Sequence, residues 1–182
     1  MSFKLTAVLM VMLALLAGTA YALERTKPKV EKPPTNYLYK FKYEDISRID
    51  LAVAGKTLCV REKQVGDSTA WVFCDLGGAD ADTVNASNIQ LIMSGPAYDR
   101  AVVSGEAAVA RLADYGLRNA PISATITLKD GRSHTALLGD KTPDGKFHYA
   151  KNADSDTIYL VDKVWGDELT RVVNNPPVKQ PA

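Results

Sequence analysis

Cysteine and histidine are scarce in this chain of 182 residues, and its net charge is close to zero. Two cysteines exclude a disulfide-rich scaffold, and two cysteines with two histidines argue against a zinc cluster. Lys and Arg number 22 and Asp and Glu 21, so the formal net charge is only +1. Such a chain lacks the positive footprint of a nucleic-acid-binding protein. Hydrophobic residues at 46% and charged residues at 24% exclude a wholly disordered chain.

Motifs of known catalytic and cofactor sites are also missing. The nucleophile-elbow, zinc-protease, Walker and dinucleotide-binding patterns do not occur in the sequence. His134 and His148 lie on predicted strands without a ligand at a metal-binding spacing, so we interpret both as structural or surface residues. Residues 152–163 begin like a calcium loop, but Thr157 and Lys163 stand where an EF-hand needs Gly and Glu. We therefore predict a non-enzymatic protein without catalytic residues, cofactor or metal.

The N-terminal part of the sequence contains a long uncharged stretch, from Leu5 to Leu23. At about 1.5 Å per residue it reaches roughly 28 Å, close to the roughly 30 Å hydrocarbon core of a bilayer. This length favours an uncleaved transmembrane helix within residues 1–24. Ala20-Tyr21-Ala22 also fits a signal-peptidase site, so the alternative is a secreted or periplasmic protein cleaved near Ala22.

The orientation of this segment is set by two opposing signals. The basic residues that follow it are Arg25, Lys27, Lys29 and Lys32. The positive-inside rule would keep them in the cytoplasm, whereas a signal-like start normally exports the chain behind it. We expect export, which gives a single-pass protein of the bacterial inner membrane with its domain on the periplasmic side.

Proline separates this segment from the rest of the chain. Residues 25–36 contain Pro28, Pro33 and Pro34, which disfavour a helix and favour an extended linker. Residues 176–182 are predicted to be a flexible tail. A single globular domain is therefore expected over residues 37–175.

The domain sequence alternates between strand and helix patterns. Ile49, Leu51 and Val53 repeat with a period of two, and Gly66-Asp67 and Asp130-Gly131 are hairpin signals. The patterns predict strands at 37–41, 48–53, 57–61, 70–74, 98–103, 122–128, 134–138, 147–150 and 157–161. They predict helices at 81–93 with Asp80 as cap and Val84, Leu91 and Ile92 facing the core, at 105–115, and from Asp162 through Val172.

These elements predict an α+β fold, mainly antiparallel sheets with short helices. Residues 49–93 and 122–173 share the order hairpin, further strand or strands, helix. This shared order indicates a pseudo-duplicated unit.

The hairpin signal also sets the relation of the two cysteines. If Gly66 and Asp67 form the loop, Cys59 lies opposite Cys74. The β-carbons of directly opposed residues are about 4.5–5.5 Å apart, whereas a disulfide prefers about 3.8 Å. Two interpretations stay open here: a Cys59–Cys74 disulfide in an oxidising compartment, or two buried thiols that pack as small apolar groups.

Four sequence motifs resemble the domain-of-unknown-function 4340 family. They are Tyr-Glu-Asp-Ile-Ser-Arg-Ile at 43–49, Leu-Ala-Asp-Tyr-Gly-Leu at 112–117, Leu-Gly-Asp-Lys-Thr-Pro-Asp-Gly at 138–145 and Tyr-Leu-Val at 159–161. The resemblance covers roughly residues 37–175. It implies a bacterial protein with a membrane segment ahead of the domain and an auxiliary role beside transporter-like or gliding-motility proteins. It implies no activity.

We therefore expect a non-enzymatic, membrane-anchored accessory or structural subunit. Its partner would be a larger membrane protein complex of electron-transport, photosynthetic or transporter type. The alternative is a periplasmic binding module for a small molecule or glycan, which needs a pocket lined by aromatic residues such as Trp71, Tyr98 or Tyr149. An enzyme with an unfamiliar site of Asp, Lys or Tyr is the least favoured hypothesis.

Overall fold

The computed structural model describes residues 36–179, together with Met10, Met12, Leu13, Leu16, Gly18 and Thr19. The chain divides into two compact units, Met1–Pro34 and Thr35–Ala182. The six described residues of the first unit are helical. Within the described part of the chain, no helix has the length and apolar character needed to cross a bilayer. Most of the predicted anchor and nearly all of the predicted linker lie outside the described residues.

The second unit is built on one nine-stranded antiparallel sheet. Its strands are β1 (Asn36–Tyr37), β2 (Ile46–Val53), β3 (Lys56–Val65), β4 (Ser68–Phe73), β5 (Ala97–Val103), β6 (Ile122–Leu128), β7 (Ser133–Lys141), β8 (Phe147–Asn152) and β9 (Ile158–Asp162). The order across the sheet is β1-β5-β9-β8-β7-β6-β2-β3-β4. Three α-helices lie within residues 36–179: α1 (Thr83–Met93), α2 (Glu106–Ala110) and α3 (Lys163–Asn174). The predicted α+β class with mainly antiparallel strands is confirmed.

Local alternation and turn residues explain the central strands. Ile49, Leu51 and Val53 are buried at every second position of β2, as predicted. The Gly66-Asp67 turn pairs Val65 with Ser68, which confirms the predicted register of the β3–β4 hairpin. Asp130-Gly131 likewise lies in the turn that joins β6 to β7.

The main core lies between one face of the sheet and the helices α1 and α3. Fully buried sheet residues such as Phe73, Ile126 and Leu138 belong to the same packed cluster as Leu169 and Val172 of α3. Asp162 caps α3 by accepting the Val164 backbone N–H over 2.8 Å, which confirms the predicted start of this helix. Trp165 Nε1 donates to the Ile92 carbonyl oxygen over 3.1 Å and links α3 to α1.

A second, smaller cluster lies on the opposite face of the sheet. Side chains alternate along β9, so Ile158 points away from the face that carries Val161. Ile158 packs there with Ala108 of α2 and with Tyr115 and Leu117 from the loop that follows α2. Both faces of this half of the sheet are therefore covered.

The predicted first strand at 37–41 is wrong. Only Asn36 and Tyr37 pair with β5, and the chain then leaves the sheet. Phe41 N donates to the Ser94 carbonyl oxygen over 2.7 Å, which holds the departing segment beside the end of α1. The reason is burial, since Leu38 and Tyr39 join the main core instead of continuing the strand.

Two helix predictions need correction. Asp82, not Asp80, caps α1, because Asp80 forms a β-bridge with Val72 at the edge of β4 and the helix begins only afterwards. Leu91, predicted to face the core, is 60% exposed. The buried α1 residues are Ala86, Ile89, Gln90 and Met93, while Ile92 is partly buried against the core and the side chain of Val84 lies outside the described residues.

The helix predicted at 105–115 ends at Ala110, because the chain turns there to bring Tyr115 and Leu117 into the second cluster.

Candidate functional site

The two cysteines are joined in a disulfide across the β3–β4 hairpin. The Cα atoms of Cys59 and Cys74 are 5.2 Å apart, and Cys74 N donates to the Cys59 carbonyl oxygen over 2.9 Å. The Asp75 carboxylate accepts the Cys59 backbone N–H over 2.8 Å. The bond therefore ties the open end of an edge hairpin to the loop that follows it.

The two histidines lie apart and serve different contacts. His148 is buried, with Nδ1 at 3.0 Å from the Gly139 carbonyl oxygen. A methyl group at Gly166 of α3 would lie 2.7 Å from its Nε2, so the helix crosses directly above the imidazole. His134 packs against Phe41 with ring centroids 4.6 Å apart. The described residues hold no group of three side chains that could bind a metal ion.

Tyr39 carries a buried hydroxyl without a hydrogen-bond partner. The side chain packs against both Phe41 and His134, at centroid distances of 5.7 and 6.2 Å. Burial raises the pKa of the Tyr39 phenol above its ordinary value, because ionisation would place a charge in the apolar core. Asn152 donates to the Leu38 carbonyl oxygen over 2.7 Å but leaves its own side-chain oxygen unpaired.

We expect Tyr39→Phe to keep or raise the free energy of unfolding at pH 7, because it removes an unbonded buried hydroxyl. Above about pH 10 the unfolded wild-type chain loses the phenol proton while the folded chain keeps it. This one group should then lower the wild-type free energy of unfolding by about 1.4 kcal/mol per pH unit, a loss that the variant avoids. Urea denaturation between pH 8 and pH 11 compares the two curves. A loss of more than about 1 kcal/mol at pH 7 would contradict the expectation.

Two of the sequence motifs meet in space through their glycines. Asp140 N donates to the Tyr115 carbonyl oxygen over 3.0 Å. A methyl group at Gly139 would overlap that carbonyl oxygen and lie 2.9 Å from the Gly116 carbonyl carbon. Gly116 itself has φ +67°, and a methyl group there would lie 2.8 Å from Asp140 N. The motif at 112–117 is thus docked, backbone against backbone, on the motif at 138–145.

A cleft with a volume of about 460 Å³ lies beside β5. Its walls come from β5, β8, β9 and the turn between β7 and β8. The side chains that define it are Arg100, Val102, Asp144, Phe147, Tyr149 and Leu160. It therefore combines an aromatic and aliphatic floor with one cationic and one anionic side chain at its rim.

The two charges of this cleft differ in how they are held. Asp144 accepts from Thr142 Oγ1 over 2.6 Å and from Lys146 N over 3.2 Å. These hydrogen bonds lower the pKa of the Asp144 carboxyl. They also hold its carboxylate within the turn formed by residues 142–146. Arg100 pairs instead with the neighbouring Asp99 over 2.8 Å, and both side chains remain well exposed. Arg100 is therefore the charged side chain of this cleft that a ligand could bind.

A smaller, polar cleft of about 270 Å³ lies on the same sheet near the disulfide. It is lined by side chains that include Arg48, Asp50, Asp75 and Thr125. Arg48 and Asp50 form an ion pair at 2.6 Å, which neutralises the charge within the cleft itself. The cleft beside β5 is the better candidate for binding, because its guanidinium is exposed and lies over an apolar floor.

The aromatic residues that the sequence singled out are not brought together. Tyr149 lines the cleft beside β5, whereas Tyr98 packs on Tyr159 with centroids 4.4 Å apart. Trp71 lines a separate cleft of about 130 Å³. Sequence reasoning missed Arg100 and Phe147. The sequence signal for Arg100 is the charged pair Asp99-Arg100 within an otherwise apolar strand, whereas no local signal marks Phe147, which only the sheet brings near.

Comparison with known proteins gives one result of note. No curated protein and no solved structure matches the chain significantly. The family model of the Domain of unknown function (DUF4340) matches residues 71–176. The matched region runs from β4 through α3 and includes the two docked glycine motifs and the cleft beside β5. The chain therefore belongs to the DUF4340 family.

Proposed function

We propose that this protein is a non-enzymatic, membrane-anchored accessory subunit whose exported domain binds a larger membrane protein complex. The anchor would be the uncharged stretch at 5–23, in a bacterial inner membrane, with the domain on the periplasmic side. The partner complex would be of electron-transport, photosynthetic or transporter type. The Cys59–Cys74 disulfide supports the export, because such bonds persist in oxidising compartments.

The observation that carries the proposal is the surface beside β5. This strand has five exposed residues, and Val102 on it is 40% exposed. The cleft of about 460 Å³ opens next to it with an exposed arginine and two aromatic side chains. An exposed strand with apolar character next to a shaped cleft is typical of a surface that binds another protein.

We also infer that the domain is pseudo-duplicated. The strands β2 and β6 are neighbours in the sheet and pair antiparallel. From that pair, β2-β3-β4 run outward in one direction and β6-β7-β8 in the other. α1 follows the first set along the chain and α3 the second set, after β9. This arrangement supports the unit of hairpin, further strands and helix that the sequence suggests.

Affinity isolation from native membranes tests the accessory role. We expect the tagged full-length chain, extracted in mild detergent after cross-linking, to bring integral membrane proteins with it. The control is a chain in which residues 1–24 are replaced by a cleavable signal peptide, which should reach the same compartment unanchored. Recovery of a lone monomer, or of a clipped soluble species that turns over a substrate, would contradict the proposal.

A second candidate function is a periplasmic binding module for a small molecule or glycan. Phe147 and Tyr149 in the cleft favour it, because aromatic faces supply much of the contact in such sites. The same isolation experiment separates the two functions. Native mass spectrometry that finds a bound small molecule and no protein partner would favour the binding module.

A further inference from the structure

Residues 105–118, which we call the strap, follow β5 and lie on the face of the sheet that carries the second cluster. They include α2 and bring Tyr115 and Leu117 into that cluster. Much of the strap's hydrogen bonding is internal. Leu117 N and Arg118 N, for example, both donate to the Leu112 carbonyl oxygen, over 2.8 and 3.2 Å. The strap is therefore a compact unit and not an extended loop.

The strap has few attachments to the rest of the domain. Among the described residues, two backbone hydrogen bonds join it to neighbouring elements. Gly105 N donates to the Asp156 carbonyl oxygen over 3.0 Å, where the strap begins. Asp140 N donates to the Tyr115 carbonyl oxygen, also over 3.0 Å. The buried residues of the second cluster are Ala108, Tyr115, Leu117 and Ile158. A segment held by so small a cluster opens at a lower free energy than the main core.

The surface beneath the strap continues the floor of the cleft beside β5. Tyr149 belongs to both, since it lines the cleft and its ring centroid is 4.7 Å from that of Tyr115. Leu160 of the cleft and Ile158 beneath the strap are alternate residues of β9, so their side chains point to the same face. The cleft is therefore one end of a longer apolar surface, and Tyr115 and Leu117 cover the other end.

From these observations we propose that the strap is a lid, which opens as a unit while the sheet and the main core stay folded. Opening breaks the bond from Asp140 N to the strap and uncovers Ile158 and Tyr149 beside the cleft. The position of the strap then sets how much of this apolar surface is accessible. The inference goes beyond the proposed accessory function and does not depend on it.

Hydrogen exchange of the Asp140 amide tests the lid, because this N–H is bonded to the strap. The sample is the isotope-labelled full-length protein in detergent micelles, followed by NMR. Met93→Ala removes a buried side chain of the main core, which the closed and open forms share. It should accelerate exchange of the protected amides in β2 and β6 by about thirtyfold or more, and leave Asp140 exchange unchanged within about twofold.

Leu117→Ala is the matched variant in the second cluster. It destabilises the closed form alone, so exchange of Asp140 and of the β2 and β6 amides should accelerate together, by about thirtyfold or more. In the wild type, low concentrations of urea should accelerate the β2 and β6 amides steeply and Asp140 only slightly, because opening of the strap exposes far less surface than global unfolding.

Three results would overturn the lid. The first is acceleration of Asp140 exchange by Met93→Ala to the same extent as the amides of β2 and β6. The second is the same urea dependence for Asp140 and those strands. Either result would mean that the strap opens only when the whole domain unfolds. The third is Asp140 exchange that Leu117→Ala leaves unchanged, since this N–H would then exchange without release of the strap. The urea measurement needs no variant, so it stands even if a substituted protein fails to fold.

Discussion

Gly139→Ala should lower the free energy of unfolding by about 3 kcal/mol or more, the largest effect that we expect from one methyl group in this fold. The new methyl would overlap the Tyr115 carbonyl oxygen and lie 3.1 Å from Leu117 Cγ. Since the Tyr115 atom belongs to the backbone, a rotamer change cannot relieve the overlap. The loop after α2 would have to move away, break the 3.0 Å bond from Asp140 N to Tyr115, and uncover the second cluster.

Gly145→Ala is the matched control for this variant. Gly145 has φ +69°, and apart from its chain neighbours no atom lies within 4 Å of the place that a methyl group would take. Alanine there costs only the left-handed backbone, about 1 kcal/mol. Urea denaturation followed by circular dichroism compares the two. Limited proteolysis should also cleave the Gly139→Ala protein within 111–118. Equal losses in both variants would show that the close backbone contact is not what Gly139 provides.

The second large effect should come from the disulfide. Replacing Cys59 and Cys74 together by alanine should lower the free energy of unfolding by about 3 kcal/mol, the value for a closed loop of about 15 residues. The sequence separation of the two cysteines is 15. The double variant is the right comparison, because a single change would leave one free thiol.

Reductant provides the control for the disulfide. Dithiothreitol should lower the wild-type free energy of unfolding by a similar amount and leave the double variant unchanged. Mass spectrometry of protein from native membranes should find the peptides of Cys59 and Cys74 linked. Wild-type stability that does not respond to the reductant, with free thiols in the native protein, would contradict both the stabilising bond and the export that it supports.

Strands with strong local signals could be predicted closely. From Ile49 to Val53 of β2 and throughout β6 a buried residue recurs at every second position, and the turns at 66–67 and 130–131 then determine which residues pair. Three local cues sufficed here: side-chain alternation, a glycine that accepts the turn, and a polar residue beside it. The start of α3 was predicted for the same kind of reason, since Asp162 is its cap.

Elements whose ends depend on distant contacts could not be predicted in this way. Asp82 caps α1 after residues 79–82 have paired with β4 on one side and with residues 177–179 on the other. Nothing within the local sequence distinguishes Asp82 from Asp80 as the cap. The segment 38–41 has a strand-like pattern but leaves the sheet. Leu38 and Tyr39 pack in the core, and Phe41 N donates to the Ser94 carbonyl oxygen at the end of α1.

By itself, the sequence determined the antiparallel character of the sheet, the hairpin register that sets Cys59 opposite Cys74, and the family motifs. Each of these depends on residues a few positions apart, where side-chain alternation and turn geometry act directly. Only the tertiary structure decided that β5 lies next to the sheet edge, that Arg100 faces a cleft floored by Phe147 and Leu160, and that Gly116 meets Gly139. Those contacts join residues far apart in the chain, and their formation depends on how the strands of the whole sheet pair and pack.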